Sequence, residues 1–216
     1  REPLDPVRFL GNRSSGRQGF ALASTAAARG ARVTLVAANV ALPDPAGVDV
    51  VRVSTAAELA AAVTAAVADH ADAVVMAAAV ADFRPVAVVG TKIKKDDTGG
   101  VPEPVALERT EDVLAALVAT RPTGAAVPVI VGFAAETGDD EGDVLHHGRA
   151  KLARKGCDLL VVNDVSGATG FESADNAAVI LTAEGDQRAV PLGPKAALAE
   201  AVWDLVSARW PVSSSC

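Results

Sequence analysis

The chain has 216 residues, half of them hydrophobic and only 3% aromatic, with a formal net charge of −7. These values indicate a globular protein with a sizeable core, and the acidic balance argues against nucleic-acid binding, which needs a basic face. No apolar run is long enough to span a bilayer, and Cys157 and Cys216 make no disulfide framework. We therefore expect a cytoplasmic protein without a membrane partner.

A polar, glycine-bearing turn opens the first predicted helix. The segment 12–19 leads directly into the apolar run 20–23. Backbone N–H groups at a helix start are unpaired, and the helix dipole favours an anion there, so Ser14, Ser15 and Gly16 are predicted to hold a phosphate. The spacing matches only half of the dinucleotide fingerprint, and the alternative is a turn that merely caps the helix.

The following segments alternate between strand and helix patterns. We predict, in chain order, a strand over 31–36, a helix over 55–70 capped by Ser54 or Thr55, a strand over 73–80, a helix over 111–120, a strand over 127–133, a helix over 143–155 and a strand over 158–162. Short apolar strands separated by helices are typical of a mainly parallel sheet covered on both faces. The sequence therefore predicts an α/β, doubly wound, Rossmann-like fold.

Two features complete this architecture. Strands over 176–182 and 187–192 form a predicted antiparallel hairpin near the sheet edge, followed by a last helix over 194–208. Residues 84–104 carry prolines and glycines around a lysine run, a composition that favours a mobile flap over a packed element.

The lysines are concentrated in two places. Five of the six lie in the run 92–95 or on the helix segment 149–155, where Lys151 and Lys155 share one face. Local cations on an acidic protein favour a small polyanion as ligand, and the alternative is two solvated basic faces.

Polar residues follow three of the predicted strands, within the segments 81–84, 134–137 and 163–166. Ligands of open α/β sheets bind beyond the carboxyl ends of the strands. Each segment alone is an ordinary loop or cap, but their coincidence predicts a ligand site at this edge.

Six blocks of the sequence, in their order and approximate spacing, carry a family resemblance. They are Glu2-Pro3-Leu4-Asp5-Pro6-Val7-Arg8, Asn12-x-Ser14-Ser15-Gly16, Ala77-Ala78-Ala79-Val80-Ala81-Asp82-Phe83, Lys92-Ile93-Lys94-Lys95, Gly132-Phe133-Ala134-Ala135-Glu136-Thr137 and Asn163-Asp164. Over nearly the whole chain they resemble phosphopantothenoylcysteine synthetase. In bacteria that activity is usually the carboxy-terminal half of a bifunctional protein, whose other half is a flavin-dependent decarboxylase.

The resemblance implies domain limits and an activity. The family begins with an apolar strand and a Gly-Gly-Thr turn ahead of the position of Glu2, so we expect 1–216 to form one synthetase domain without that strand or the decarboxylase half. It implies a homodimer that joins 4′-phosphopantothenate to L-cysteine with CTP, through an acyl-cytidylate, releasing pyrophosphate and CMP. Mg²⁺ is expected with the triphosphate, and no flavin is expected in this part.

The resemblance also assigns residues. Lys92 matches the catalytic lysine at the α-phosphate, Asn12 the residue that holds the acyl-cytidylate, and Arg8 a phosphate contact, with a structural salt bridge as its alternative. The nucleotide positions, including the turn at the first helix, are Ser14, Ser15, Gly16, Asp82, Lys92, Thr110, Glu111, Asp112, Val113, Phe133, Lys151 and Lys155. The substrate positions are Asn12, Ala78, Ala79 and Asp82. Phe133, as an aromatic that ends an apolar strand, is alternatively a core residue.

Two other functions fit the fold. A nicotinamide-dependent reductase shares the serine-glycine turn, but a short-chain reductase needs a catalytic tyrosine and this chain has none. No acidic residue clearly ends the strand over 31–36 to hold a ribose, since the residues there are Val36-Ala37-Ala38-Asn39. A non-catalytic nucleotide-binding domain would use the lysines without needing Asn12. His146 and His147 lack partners at metal-ligand spacing, so no metal site made of protein ligands is predicted.

Overall fold

A computed structural model of the chain describes residues 1–94, 104–122, 127–140, 142–164 and 175–210. The helices are α1 (Arg17–Ala28), α2 (Ala56–Ala68), α3 (Val113–Thr120), α4 (Val144–Lys155) and α5 (Lys195–Ser207). The strands are β1 (Glu2–Pro3), β2 (Phe9–Leu10), β3 (Val33–Ala38), β4 (Val48–Val53), β5 (Ala73–Met76), β6 (Phe83–Pro85), β7 (Leu107–Arg109), β8 (Val129–Glu136), β9 (Leu159–Asp164), β10 (Asp175–Thr182) and β11 (Gln187–Pro194). Among these helices, none is long and apolar enough to cross a membrane.

The central sheet has five strands in the order β11-β10-β9-β8-β5. Its β5, β8 and β9 strands are parallel, whereas β10 pairs antiparallel with both β9 and β11. The parallel strands and the hairpin at the edge confirm the predicted α/β fold class.

The two faces of this sheet are both apolar and both covered. In β9, Leu159 and Val161 pack in a cluster with residues of α1 and α5, whereas Leu160 and Val162 pack in a second cluster with residues of α2, α3 and α4. Successive side chains of a strand point to opposite faces, so a continuous apolar run needs helices on both sides. This arrangement confirms the predicted double layer of helices.

The start of α2 shows how sequence fixes a boundary. The Thr55 hydroxyl accepts a hydrogen bond from the Glu58 N–H at 3.2 Å, and Glu58 returns the contact in a capping box. The buried Glu2 carboxylate accepts from the Ala56 N–H at 2.7 Å. Of the two predicted caps, Thr55 is the one used.

Three elements differ from their predictions. The strand predicted over 73–80 ends at Met76, and the Val80 carbonyl beyond it accepts a hydrogen bond from the Asn12 side chain. Strand β4 was not predicted, although its valines alternate with polar residues. Within 84–104, the first residues belong to an antiparallel ribbon of β6 and β7, and the flap residues 95–103 lie outside the described residues.

A deep cleft separates β3 from β5. Strands β3 and β4 pair in parallel as a sheet of their own, and in the described residues neither pairs with the central sheet. The cleft between the two sheets has a volume of about 1050 Å³ and is lined by residues of β3, β5, α1 and α2. The expectation of a further strand stays a prediction.

We expect Leu160→Ala to lower the free energy of unfolding by about 2–5 kcal/mol. Leu160 is 0% exposed in the face covered by α2, α3 and α4, so its truncation leaves a cavity. Urea denaturation monitored by circular dichroism measures the change. The control is Leu192→Ala on β11, where the leucine is 73% exposed, and a similar loss in both variants would contradict this packing.

Candidate active site

The turn before α1 presents backbone donors without a side-chain cap. Gly16 is the N-cap residue of α1 in the left-handed conformation, with φ of 71°, and among the described residues no side chain caps this helix. By contrast, the Asp112 and Asp143 carboxylates cap α3 and α4. The Ser14 hydroxyl accepts from the Gly16 N–H at 3.3 Å, outside the first turn of α1. The first N–H groups of α1 therefore remain available to an anion.

Gly16 is required at this turn by its surroundings as well as by its backbone. A Cβ atom built on Gly16 would lie 2.6 Å from Cγ2 of Val40, the second residue after β3. The turn and the end of β3 thus approach each other more closely than any side chain would allow.

The segment that follows β5 joins two predicted site regions. The Asn12 side chain donates to the Val80 carbonyl at 2.8 Å. On the other side, the Thr110 hydroxyl donates to the Ala81 carbonyl at 2.5 Å, and the Thr110 N–H donates to the Asp82 carbonyl at 3.0 Å. Asp82 itself is exposed. Residues distant in sequence therefore converge on one short stretch of backbone.

Several of the predicted site residues share the cleft between β3 and β5. Those that line it are Asn12, Ser14, Gly16, Ala78 and Ala79. Ala78 and Ala79 are exposed and carry little bulk, so a ligand can approach the backbone there. The structure thus places Ser14 and Gly16 of the turn at one opening with three of the predicted substrate positions, whereas the fourth, Asp82, is not among the lining residues.

Both lysines of α4 are paired with carboxylates. Lys151 donates to Glu136, at the end of β8, with a distance of 2.8 Å between Nζ and Oε1. Lys155 forms a salt bridge with Asp112. Burial works to raise the pKa of Asp112, but hydrogen bonds from Lys155 and the Ala115 N–H outweigh it and hold the pKa below its usual range. These cations are therefore locally neutralised in the absence of ligand.

Arg8 has the salt bridge that was its alternative interpretation. Its Nε and Nη2 donate to Oδ2 of Asp5 at 2.9 and 2.6 Å, and Nη2 also donates to the Ile93 carbonyl at 2.6 Å. Lys92 is exposed, next to Ile93, and among the described residues its ammonium has no ion-pair partner. A phosphate contact by Arg8 stays a prediction.

Two of the predicted nucleotide positions face the core. Phe133 packs against the cluster that contains α1 and α5 residues, which favours its core interpretation. Val113 is buried in the opposite cluster, whereas its neighbour Glu111 is exposed. We therefore expect only the backbone at Val113 to be within reach of a ligand.

Sequence reasoning did not single out Asp5 or Val40. The pair Asp5-Pro6 is a turn signal, and Asp5 indeed accepts from the Val7 and Arg8 N–H groups at 2.8 Å each. No local pattern points to Val40, because its role depends on contact with Gly16 across the fold.

No metal centre is visible in the described ranges. His147 Nε2 lies 2.8 Å from Oδ1 of Asp139, but no group of three or more histidine, cysteine or acidic residues there could hold a metal ion. Cys157 is buried under the sheet, and burial raises the pKa of its thiol, so it is not a reactive nucleophile.

The chain is similar in sequence to a protein family and to individual proteins whose names refer to pantothenate or coenzyme A. Residues 1–209 match the family described as DNA/pantothenate metabolism flavoprotein, C-terminal domain. The coenzyme A biosynthesis bifunctional protein CoaBC of Mycobacterium tuberculosis (strain H37Rv) is 54% identical over 209 residues, which are 95% of this chain and 49% of that protein. CoaBC of Escherichia coli (strain K12) is 42% identical over 211 residues, which are 97% of this chain and 50% of that protein.

A solved structure is also similar. The crystal structure of the C-terminal domain of a coenzyme A biosynthesis bifunctional protein CoaBC aligns with a TM-score of 0.76 and 31% identity, covering 96% of this chain and 89% of that one. The chain spans about half the length of the curated relatives it matches.

We expect Gly16→Ala to destabilise the fold more than Gly47→Ala. Both glycines have nearly the same positive φ, 71° and 72°, but nothing lies within 4 Å of a Cβ at Gly47. The left-handed backbone alone costs about 1–2 kcal/mol, and the clash with Val40 adds about 1–3 kcal/mol. Urea denaturation measures both losses. Adding Val40→Ala should recover part of the Gly16→Ala loss, and equal losses at the two glycines would contradict the contact.

Proposed function

We propose that this chain, which belongs to the DNA/pantothenate metabolism flavoprotein C-terminal domain family, is a phosphopantothenate–cysteine ligase of coenzyme A biosynthesis. The family resemblance predicted from the six sequence blocks is thereby confirmed. The observation that carries the proposed activity is the position of Asn12, which lies at one opening with the uncapped start of α1 and the small residues after β5.

The proposed reaction has two steps. The carboxylate of 4′-phosphopantothenate attacks the α-phosphorus of CTP, so that the bond to pyrophosphate breaks and an acyl-cytidylate forms. The amine of L-cysteine then attacks the acyl carbonyl, CMP leaves with the electrons of the broken bond, and the amine loses a proton.

The nucleotide phosphates fit the start of α1. Its N–H groups lack a side-chain cap, and Gly16 lets a ligand reach the backbone. Ser14, Ser15 and Gly16 are the proposed phosphate contacts. The other proposed nucleotide contacts lie outside the cleft lining, on segments that Thr110 joins to the Ala81 and Asp82 carbonyls; they are Asp82, Thr110, Glu111, Asp112 and Val113. The Phe133 side chain is a less direct contact to the base, because it packs into the core.

The cations would neutralise the triphosphate. We propose that Lys151 and Lys155 exchange their carboxylate partners for phosphate oxygens, while the exposed Lys92 approaches the α-phosphate as charge develops there. Mg²⁺ is proposed to arrive as part of the CTP complex, since the described residues contain no ligand cluster of their own. Bound there, it would screen the charge between the β- and γ-phosphates.

Asn12 is proposed to serve the second step. Its hydrogen bond to the Val80 carbonyl fixes the side chain and uses only one of the two amide hydrogens. The other hydrogen can donate to the acyl oxygen of the cytidylate as the cysteine amine attacks. A non-catalytic nucleotide-binding domain would not need this group.

The expected domain limits are also proposals. We propose that 1–216 is one domain, that its cleft receives an additional strand ahead of Arg1, and that a decarboxylase half belongs to the complete cytoplasmic protein. The cleft supports the strand because β3 and β5 each have an unpaired edge facing it, within the described residues, and because Arg1 lies at its lining.

A homodimer is supported by the β6–β7 ribbon. In the ribbon itself Phe83 is 46% and Leu107 47% exposed, and beside it Val86 is 58% and Val105 50% exposed. Exposed apolar groups that lie close together on a thin ribbon are typical of an interaction surface. A second copy of the chain is the proposed partner.

We expect pyrophosphate release that requires 4′-phosphopantothenate and prefers CTP over ATP. Lys92→Ala should slow it by about 10²–10³-fold, the usual effect of removing one charge-stabilising group, whereas the neighbouring Lys94→Ala serves as the control with near-normal rate. Asn12→Asp should accumulate acyl-cytidylate when cysteine is added, because its first step is intact. A coupled pyrophosphate assay and mass spectrometry give the two readouts.

The assay also separates the proposals from one another. Activity of a longer protein that includes the segment ahead of Arg1, without activity of 1–216, would support the additional strand and retain the ligase. No phosphopantothenate-dependent release from either folded protein would contradict the ligase and leave the nucleotide-binding domain as the better interpretation.

We expect Leu107→Asp to shift the protein from dimer to monomer, because a charge in the buried apolar surface of an interface is costly. Light scattering after size exclusion measures the mass. Leu192→Asp is the control, since Leu192 is 73% exposed on β11, and it should leave the mass unchanged. A dimer that survives Leu107→Asp would place the interface elsewhere.

A further inference from the structure

We infer that Asp5 is a positioning residue, whose buried carboxylate fixes the backbone of Ile93 and thereby the segment that carries Lys92. This inference deepens the proposed function and rests on it for the role of Lys92. The contacts themselves stand on the structure alone.

Both oxygens of the buried Asp5 carboxylate accept several hydrogen bonds. Its side chain is 0% exposed. Oδ1 accepts from the Val7 and Arg8 N–H groups at 2.8 Å each, and Oδ2 accepts from Nε and Nη2 of Arg8 at 2.9 and 2.6 Å. Oδ2 also accepts from the Ile93 N–H at 3.1 Å, across 88 positions of sequence.

The second polar group of the Ile93 backbone is held by the same ion pair. Nη2 of Arg8, oriented by Asp5, donates to the Ile93 carbonyl at 2.6 Å. The Asp5–Arg8 pair therefore hydrogen-bonds both the N–H and the carbonyl of Ile93, the residue that follows Lys92. A third contact, from the Val89 N–H to the Leu4 carbonyl at 3.1 Å, holds the chain on the other side of Lys92.

Side-chain packing does little to hold this stretch. Every residue from 86 to 94 is exposed, so no apolar core anchors the backbone around Lys92. Hydrogen bonds to the loop 4–8 therefore set its position, and the charged Asp5–Arg8 pair provides the strongest of them. The same loop continues four residues later to Asn12. The positions of both proposed catalytic residues, Lys92 and Asn12, therefore depend on this loop.

Asp5 stays ionised while it does this. Burial works to raise the pKa of Asp5, but hydrogen bonds from the Val7 N–H and from Arg8 outweigh it and place the pKa well below its usual range. At neutral pH the carboxylate is an acceptor only, which suits the donors that surround it.

The test compares Asp5→Asn with Asp158→Asn. Asp158 is a matched control, since it also accepts from an arginine, Arg121, at 2.5 Å, and from a backbone N–H, that of Ile130, at 2.7 Å, but within the sheet. Asp5→Asn should lower kcat for pyrophosphate release by about 10–100-fold, as misplacement of a catalytic group does. KM for CTP should change by less than about twofold, because binding is left intact. Asp158→Asn should reduce stability without this kinetic change.

Hydrogen exchange gives a readout that does not depend on activity. The Ile93 amide should lose protection by at least about tenfold in Asp5→Asn and keep it in Asp158→Asn. Ile93→Pro removes the N–H donor while Asp5 and Arg8 remain, at an exposed position that should not prevent folding, and it should reproduce the loss of kcat.

A double-variant cycle separates positioning from general damage. If Asp5 acts through Lys92, adding Asp5→Asn to Lys92→Ala should cause little further loss in single-turnover rate. Additive losses, or an Ile93 amide whose exchange is unchanged, would overturn the inference. If the wild-type protein released no pyrophosphate, the ligase proposal would fail, and the exchange of Ile93 would still decide whether Asp5 fixes this backbone.

Discussion

The two-sided apolar character of the central strands constrains most of the molecule. Because Leu160 and Val161 point to opposite faces and are both fully buried, neither face of β9 can be left to solvent. Helices must therefore cover the sheet on both sides. Because β5, β8 and β9 are parallel, their carboxyl ends lie at the same edge of the sheet.

The sequence was sufficient for the parts of the fold with strong local patterns. The continuous apolar run of β8 is read from adjacent residues and was predicted over 127–133, within three residues of its observed bounds, and the cap of α2 was predicted at Ser54 or Thr55. The contact that Glu58 returns to the start of the helix was not predicted. The early end of β5 was not predicted, because Ala77 to Val80 are as apolar as the strand before them. The hydrogen bond from the Asn12 side chain to the Val80 carbonyl joins residues 68 positions apart, which no local pattern indicates.

Candidate site residues could be selected from the sequence, but their pairings could not. The turn at Gly16 and the lysines of α4 can be read from composition and spacing. Lys151 is paired with Glu136, and Phe133 faces the helices rather than the opening. Both relations depend on the register of α4 and β8. Those relations join residues far apart along the chain, for which a single sequence gives no signal.

The pairing of Lys151 with Glu136 has a consequence for ligand thermodynamics. An anion that binds these lysines displaces an internal carboxylate instead of small counterions from solution. Ion release then contributes little entropy, and affinity should depend on salt more weakly than the number of cations suggests. The displaced carboxylates must be hydrated again, so the exchange has its own enthalpy. Discrimination among anions would consequently rest on geometry more than on total charge.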